Sequence, residues 1–276
     1  MGGIRIGMNI AKARKARGMT QEQLAQRLNV SFQAVSTWER DGNLPDTAHL
    51  RQLAEALDTS LDALLNEKVD RDWGLRSPVF DAAHMYTYVK AKAQAGNFPQ
   101  TLAALPVMRE KHAGQTRRSR TGNVPYAVHP LMLACHALAM GIAEDDVLAA
   151  LLLHDVVEDT GTRLEELPVS EQVREAVRLV SHNSYDGCDG DADAAYYAGI
   201  VKNPLAALVK CIDRCNNLSS MADGFSREEM AGDVIHTEQH VLPLLDVVKN
   251  MPRWNNAAWL LRYQMMALME AFKRML

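Results

Sequence analysis

Apolar residues recur along this chain at intervals of three and four, with no stretch of sustained alternation, and that period predicts helices from end to end. Ile4 to Arg17 reads as the first, stopped by Gly18. Thr20 with Gln23 three residues later is a capping-box start for a second, whose Leu24 and Leu28 face inward. Ser31 caps a third, Phe32 to Arg40, with Val35 and Trp38 in its core; Thr47 to Leu57 and Ser60 to Leu65 follow. Asn66 to Arg76 is charged and aperiodic, as a linker is, and Pro78 to Ala95 resumes a helical face through Ala82, Tyr86, Val89 and Ala93.

Further on, helices are expected over Met108 to Gln115, Leu131 to Met140, Asp145 to Val156, Glu171 to Ser181, Tyr196 to Ile200 and Pro204 to Leu218. Val234 to Val248 and Ala257 to Leu276 complete the series, and the polar, glycine-containing run His182 to Asp193 reads as a loop. The class is therefore all-α: a five-helix unit at 1–66, a linker and connecting helix at 67–104, and a larger all-helical domain at 105–276.

The pattern is broken most sharply at Leu148 to Thr160, an apolar run that suddenly carries His154, Asp155, Glu158 and Asp159. Ionised carboxylates in a buried helix are costly unless they are paired or bind a metal. Two neighbouring helices offer partners: His129 near the start of the one that runs on to Met140, and Asp213 with Asn217 one turn later in Pro204 to Leu218. His129, His154, Asp155 and Asp213 make a mixed imidazole and carboxylate shell, suited to Mn²⁺ or another divalent transition metal with positions left for water and substrate.

The order HP, then HDxxED, then DRxxN, together with His112 to Gln115 and Arg120 to Pro130, resembles the HD-domain metal-dependent phosphohydrolases. More narrowly, it is similar to the hydrolases that remove pyrophosphate from the 3′ position of (p)ppGpp, over roughly residues 106 to 250. The resemblance implies that Glu158 and Asp159 orient the attacking water and manage its proton. It further implies that Arg120, Asn217 and Ser220 contact the nucleotide; Arg117, Arg118 and Lys210 are candidates for phosphates, Lys210 equally for supporting its helix, and His182 reads as a solvated loop histidine in preference to a phosphate contact. Cys215 and Asn216 depart from the apolar residue and His or Tyr usual in that family, which bears on the shape of the base pocket.

Residues 4 to about 66, with TQEQLAQRLNVSFQAVSTWERDGNLP at their centre, resemble the Cro/C1-type helix-turn-helix family. In such domains the second helix crosses the phosphate backbone and the third lies in the major groove. The resemblance implies that Gln21 touches a phosphate, that Phe32, Gln33, Ser36 and Thr37 face the bases, and that Arg40 supports the turn or a phosphate. Gln33 suits adenine, and Phe32 a thymine methyl.

Charge tempers this picture, because residues 1–66 hold eight Lys/Arg against seven Asp/Glu and the chain as a whole stands at −4. Useful affinity for double-stranded DNA is then expected from a homodimer reading two half-sites. With 47% hydrophobic residues, no secretory h-region and no run long enough for a bilayer, the reading is a soluble cytoplasmic protein without a membrane partner. Its four cysteines lack zinc-type pairing and read as reduced thiols. No stretch of synthetase length follows the hydrolase motifs, so alarmone degradation alone is expected. Two alternatives remain open at this point: hydrolysis of another nucleotide, and a transcriptional regulator whose HD domain senses a nucleotide.

Overall fold

The computed structural model describes residues 6–59, 61–65, 81–117, 124–185 and 192–276, the side chains of 62 and 63 excepted. The chain divides into two compact units, Met1–Arg71 and Asp72–Leu276.

In the first unit, α1 (Gly7–Ala16), α2 (Gln21–Leu28), α3 (Phe32–Glu39), α4 (Thr47–Ala56) and α5 (Leu61–Leu65) enclose Ile6, Ile10, Leu24, Val35, Trp38, Leu53 and Leu64. Thr20 and Gln23 form the reciprocal capping box: the Gln23 amide donates to Thr20 Oγ1 and the Thr20 amide to Gln23 Oε1. Ser31 accepts from Ala34 N to start α3. Gly7 permits the close approach of α1 to the end of α3, since a Cβ there would lie 2.4 Å from the Trp38 carbonyl oxygen. Arg14, one of three basic residues in α1 with Lys12 and Lys15, turns inward: its guanidinium donates to Glu39 at 2.6 and 3.0 Å and to the Met19 carbonyl at 2.6 Å. It therefore serves the core of the unit and is not available to a partner.

The second unit opens with α6 (Ala82–Gly96), capped by Asp81, whose carboxylate accepts from His84 N. Next, α7 (Pro99–Lys111) starts nine residues before the expected Met108. Its first-turn amides are satisfied from elsewhere: Asp145 accepts from Gln100 N at 3.0 Å and Thr101 N at 2.7 Å, some 45 residues away in sequence. Pro99 at the first position needs no such acceptor.

A two-residue antiparallel ladder, β1 (Thr116–Arg117) with β2 (Val124–Pro125), leads into α8 (Val128–Ala139). No strand was expected; the ladder is small and the class remains all-α. α9 (Asp145–Leu153) is buried at every residue from Val147 on, which explains its unbroken apolar run. Here the structure corrects the expected helix to Val156. α9 stops at Leu153, His154 and Asp155 form a turn, and α10 (Val156–Thr160) restarts with the Asp159 amide on the Asp155 carbonyl. Asp155, at φ −99° and ψ −6°, stays in the right-handed region at the N-cap position of the new helix and makes no side-chain capping bond, which leaves its carboxylate for the neighbouring imidazoles.

α11 (Glu171–Val180), α12 (Ala192–Ile200) and α13 (Pro204–Ser220) follow, with α13 packed against α8, α9 and α11. The expected Val234 to Val248 helix is two pieces, α14 (Arg227–His236) and α15 (Leu244–Lys249). A π-turn over Thr237–Val241 and Pro243, which has no N–H to continue the ladder, separate them. α16 (Asn255–Met275) closes the unit over α13 and α15.

Candidate metal centre and substrate pocket

Three elements bring four donors to one point. His129 comes from the first turn of α8, His154 and Asp155 from the break between α9 and α10, and Asp213 from the middle of α13. Ligand atoms of His129, His154 and Asp155 lie within 4.8 Å of one another. Nε2 of His129 is 3.2 Å from Asp213 Oδ1 and 3.7 Å from Asp155 Oδ2, while Nε2 of His154 is 2.8 Å from Asp155 Oδ2 and 3.9 Å from Asp213 Oδ1. Despite that proximity, the buried His154 Nε2 makes no directed hydrogen bond among the described residues. A buried nitrogen held close to two carboxylates without a well-directed hydrogen bond is a place a divalent cation would satisfy, and two imidazoles with two carboxylates are donors such a cation accepts.

The other ring nitrogens are spoken for. His154 Nδ1 lies 2.9 Å from the Leu151 carbonyl, and His129 Nδ1 lies 2.8 Å from Asn216 Oδ1. Burial depresses the His129 imidazole. Burial would do the same to His154, but the charges of Asp155 and Asp213 outweigh it and push this ring up to about 9. Against the same burial, the neighbouring imidazoles, and Lys210 beside Asp213, hold both carboxyls well below the usual range. Lys210 Nζ donates to Asp213 Oδ2 at 3.3 Å, so this lysine is engaged with the cluster.

Beside the donors lies a pocket of about 320 Å³ lined by Thr116, Arg117, Tyr126, Asn217, Ser220 and Phe225, among others. Two of the expected substrate residues, Asn217 and Ser220, face it; Arg120 lies outside the described residues. Asn217 Nδ2 donates to Asp213 Oδ1 at 2.7 Å and its Oδ1 accepts from Arg117 at 2.7 Å, linking pocket and donor cluster. Ser220 Oγ donates to the Asn216 carbonyl at 3.1 Å. Glu158 accepts the His182 amide at 2.8 Å, and the Asp159 carbonyl accepts from Gln115 at 3.1 Å. His182 is exposed, in keeping with a solvated histidine, and its ring stacks on Tyr196 at 3.9 Å.

A second, larger cavity of about 710 Å³ opens on the far side of α13, with Met132, Cys135, His136, Cys215, Asn216 and Leu268 among its walls. His136 Nε2 pairs with Gln264 Oε1 at 3.1 Å there and does not join the donor cluster.

In the first unit, Phe32 and Gln33 stand exposed at the start of α3, with Phe32 at 40% exposure, while Ser36 and Thr37 are half-buried one turn later. Arg40 Nε donates to the Ser36 carbonyl at 3.1 Å, a bond that holds the C-terminal turn of α3. Gln21 donates to Glu39 Oε2 at 2.7 Å, so its amide is engaged within the unit.

Residues 10–64 match the helix-turn-helix family HTH_3. Guanosine-3′,5′-bis(diphosphate) 3′-pyrophosphohydrolase MESH1 of Homo sapiens is 40% identical over 125 residues, 44% of this chain and 69% of that protein. The chain belongs to the MESH1 family. The mouse protein of the same name is 33% identical over 129 residues, with the same 69% covered. A solved metazoan ortholog of SpoT, described as hydrolysing ppGpp, shares the fold at a TM-score of 0.50 and 22% identity, over 63% of this chain and 95% of that one. Longer bacterial relatives also match; of the guanosine-3′,5′-bis(diphosphate) 3′-pyrophosphohydrolase of Aquifex aeolicus, 31% identical over 118 residues, the chain spans 16%.

In this member of the MESH1 family, three residues that support the donors are not apparent from the sequence alone. Tyr126 donates its hydroxyl to Asp155 Oδ2, and burial followed by the Asp155 charge drives its own ionisation far upward. The buried His112 stacks on Tyr126 at 4.6 Å and pairs with Gln115 Oε1 at 2.6 Å. Asn216 holds His129. Tyr126 and His112 sat inside blocks that carried the family resemblance, and their bonds to the site became legible only once the chain had folded back on itself.

Proposed function

We propose that this chain removes the 3′-pyrophosphate of (p)ppGpp with Mn²⁺ held by His129, His154, Asp155 and Asp213. The observation that carries the reading is the convergence of these donors beside a pocket lined by Asn217, Ser220 and Arg117. A bound divalent ion would supply Lewis acidity at a phosphoryl oxygen and lower the pKa of water. Glu158 and Asp159, in the turn that follows the ligand pair, orient the attacking water and accept its proton. Water adds to the phosphorus attached to the ribose 3′ oxygen, the bond between them breaks, and the 3′ oxygen takes up a proton. Arg117 and Arg120 contribute positive charge toward the substrate, Asn217 and Ser220 polar contacts.

The N-terminal unit reads double-stranded DNA through α3, with Phe32, Gln33, Ser36 and Thr37 toward the bases and Arg40 toward the backbone or its own turn. Two copies of the chain, as a homodimer, would engage two half-sites. The domain limits proposed with this reading are 1–66, 67–104 and 105–276.

The test incubates the full-length protein with ppGpp and Mn²⁺ and separates the products chromatographically, beside the Asp155→Ala variant and an EDTA-treated sample. GDP and pyrophosphate formed by the untreated wild type alone would support the reading. A metal-loaded wild type that leaves ppGpp intact would overturn it.

A further inference from the structure

Both histidines of the donor cluster use one ring nitrogen toward the cluster and the other against a support, but the supports differ in kind. His154 Nδ1 is held by the main-chain carbonyl of Leu151. His129 Nδ1 is held by a side chain, the Oδ1 of Asn216, with both residues buried. Asn216 lies on α13 one turn after Asp213, so one face of one helix supplies both a donor and the group that orients another donor. Asn217 completes the arrangement by donating to Asp213 from four residues away.

The consequence lies in the proton count. A neutral imidazole has one N–H, and a carbonyl oxygen on Nδ1 claims it. The Nε2 lone pair then faces Asp213 Oδ1 at 3.2 Å and Asp155 Oδ2 at 3.7 Å. An uncompensated lone pair against two carboxylates is unfavourable, and a cation placed among them reverses the sign.

We infer that Asn216 is a positioning residue: by accepting the Nδ1 proton it fixes the tautomer and ring plane of His129 and so presents Nε2 as a ready ligand. The inference rests on the metal reading above but not on the identity of the substrate. It also gives a physical role to a position at which this sequence departs from the resembled pattern, the second variable residue of the DRxxN run, where His or Tyr is usual.

Three proteins test it: wild type, Asn216→Asp, which keeps an acceptor at the same place, and Asn216→Leu, which keeps the approximate volume and removes the acceptor. The first readout is the ¹⁵N–¹H correlation spectrum of the histidine rings in the metal-free proteins, where the two tautomers are distinct. The second is Mn²⁺ affinity by calorimetric titration, and thermal melting of the metal-free forms monitors the fold. The wild type and Asn216→Asp should both carry the His129 proton on Nδ1 and bind Mn²⁺ within about threefold of each other. Asn216→Leu should show mixed tautomers and bind Mn²⁺ about 10- to 100-fold more weakly.

A wild-type His129 protonated on Nε2 overturns the inference whatever the variants do. So does wild-type Mn²⁺ affinity in a folded Asn216→Leu protein, or equal weakening in Asn216→Leu and Asn216→Asp. If Asn216→Leu does not fold, the wild-type tautomer and the Asn216→Asp affinity decide. Failure to cleave ppGpp by a protein that still binds Mn²⁺ and shows the Nδ1 tautomer would count against the substrate reading alone.

Discussion

Glu158 Oε2 accepts the main-chain amide of His182 at 2.8 Å, which joins the turn after the histidine-aspartate pair to the turn that begins beyond α11. The bond needs only an acceptor oxygen, and the amide of glutamine provides one. Glu158→Gln should therefore keep the fold and bind Mn²⁺ about as well as wild type, yet lose roughly 10²- to 10⁴-fold in turnover because it cannot take a proton. Steady-state kinetics with ppGpp beside a metal titration checks both halves; full activity would remove Glu158 from the proposed role.

Asp155→Ala acts differently. It deletes a donor that approaches both histidines and the acceptor of the Tyr126 hydroxyl. Bound metal, measured after dialysis, and hydrolysis should be lost together, and added Mn²⁺ should not restore turnover.

Tyr126→Phe removes the hydroxyl on Asp155 but keeps the ring on His112. Losing such a support typically costs a site about tenfold or more in metal affinity. The expected result is a folded protein with Mn²⁺ affinity weakened to that extent, read by competition with a chelating dye. Wild-type affinity would mean that Asp155 needs no such restraint.

Sequence and structure agree best where a local rule decides. The Thr20–Gln23 box, the Ser31 cap and the inward Leu24, Val35 and Trp38 all follow from neighbours within one turn. The donor order was equally plain, because a His-Asp pair inside an apolar run has few other uses. What stayed hidden depends on distant parts of the chain. The start of α7 is set by a carboxylate about 45 residues downstream. The break before α10 and the π-turn of Thr237–Val241 lie in runs whose apolar pattern continues through them. Asn216 departs from the family pattern in sequence, and its role depends on His129, 87 residues upstream and 2.8 Å away in the fold.

Glu39 joins Arg14, Gln21 and α3 within the first unit. Removing it as Glu39→Ala leaves a buried guanidinium with one carbonyl partner, and a loss of about 3 kcal/mol is expected. Burial alone would lift the Glu39 carboxyl, but hydrogen bonds from Arg14 and Gln21 outweigh it and hold it below its ordinary value of 4.5. A depressed carboxyl stabilises the folded state above its unfolded value, and that contribution fades as pH falls through the folded value. Hydrogen-exchange protection factors of α1 and α3 amides, corrected for the intrinsic slowing of exchange in acid, should fall as pH is lowered in the wild type, and a Glu39→Gln protein should lose most of this dependence.

On the DNA side, Gln33→Ala should weaken binding to a selected operator by roughly 1–3 kcal/mol while ppGpp hydrolysis is unchanged. Gel-shift titration at fixed salt measures the first, and product analysis the second. Equal operator binding by both proteins would displace Gln33 from the base-facing set.

The apolar cavity behind α13 has two thiols in its wall, Cys135 and Cys215. Burial pushes the first up to about 11 and the second up to about 12. Oxidants and alkylating reagents attack thiolates, which neither side chain supplies in quantity at neutral pH. The two sulfurs share this wall with Asn216, the hydrogen-bond partner of His129, and are chemically quiet. Peroxide or maleimide should therefore react slowly with both, and more slowly with the buried Cys215 than with the half-buried Cys135, so that graded labelling reports how far the cavity wall is exposed.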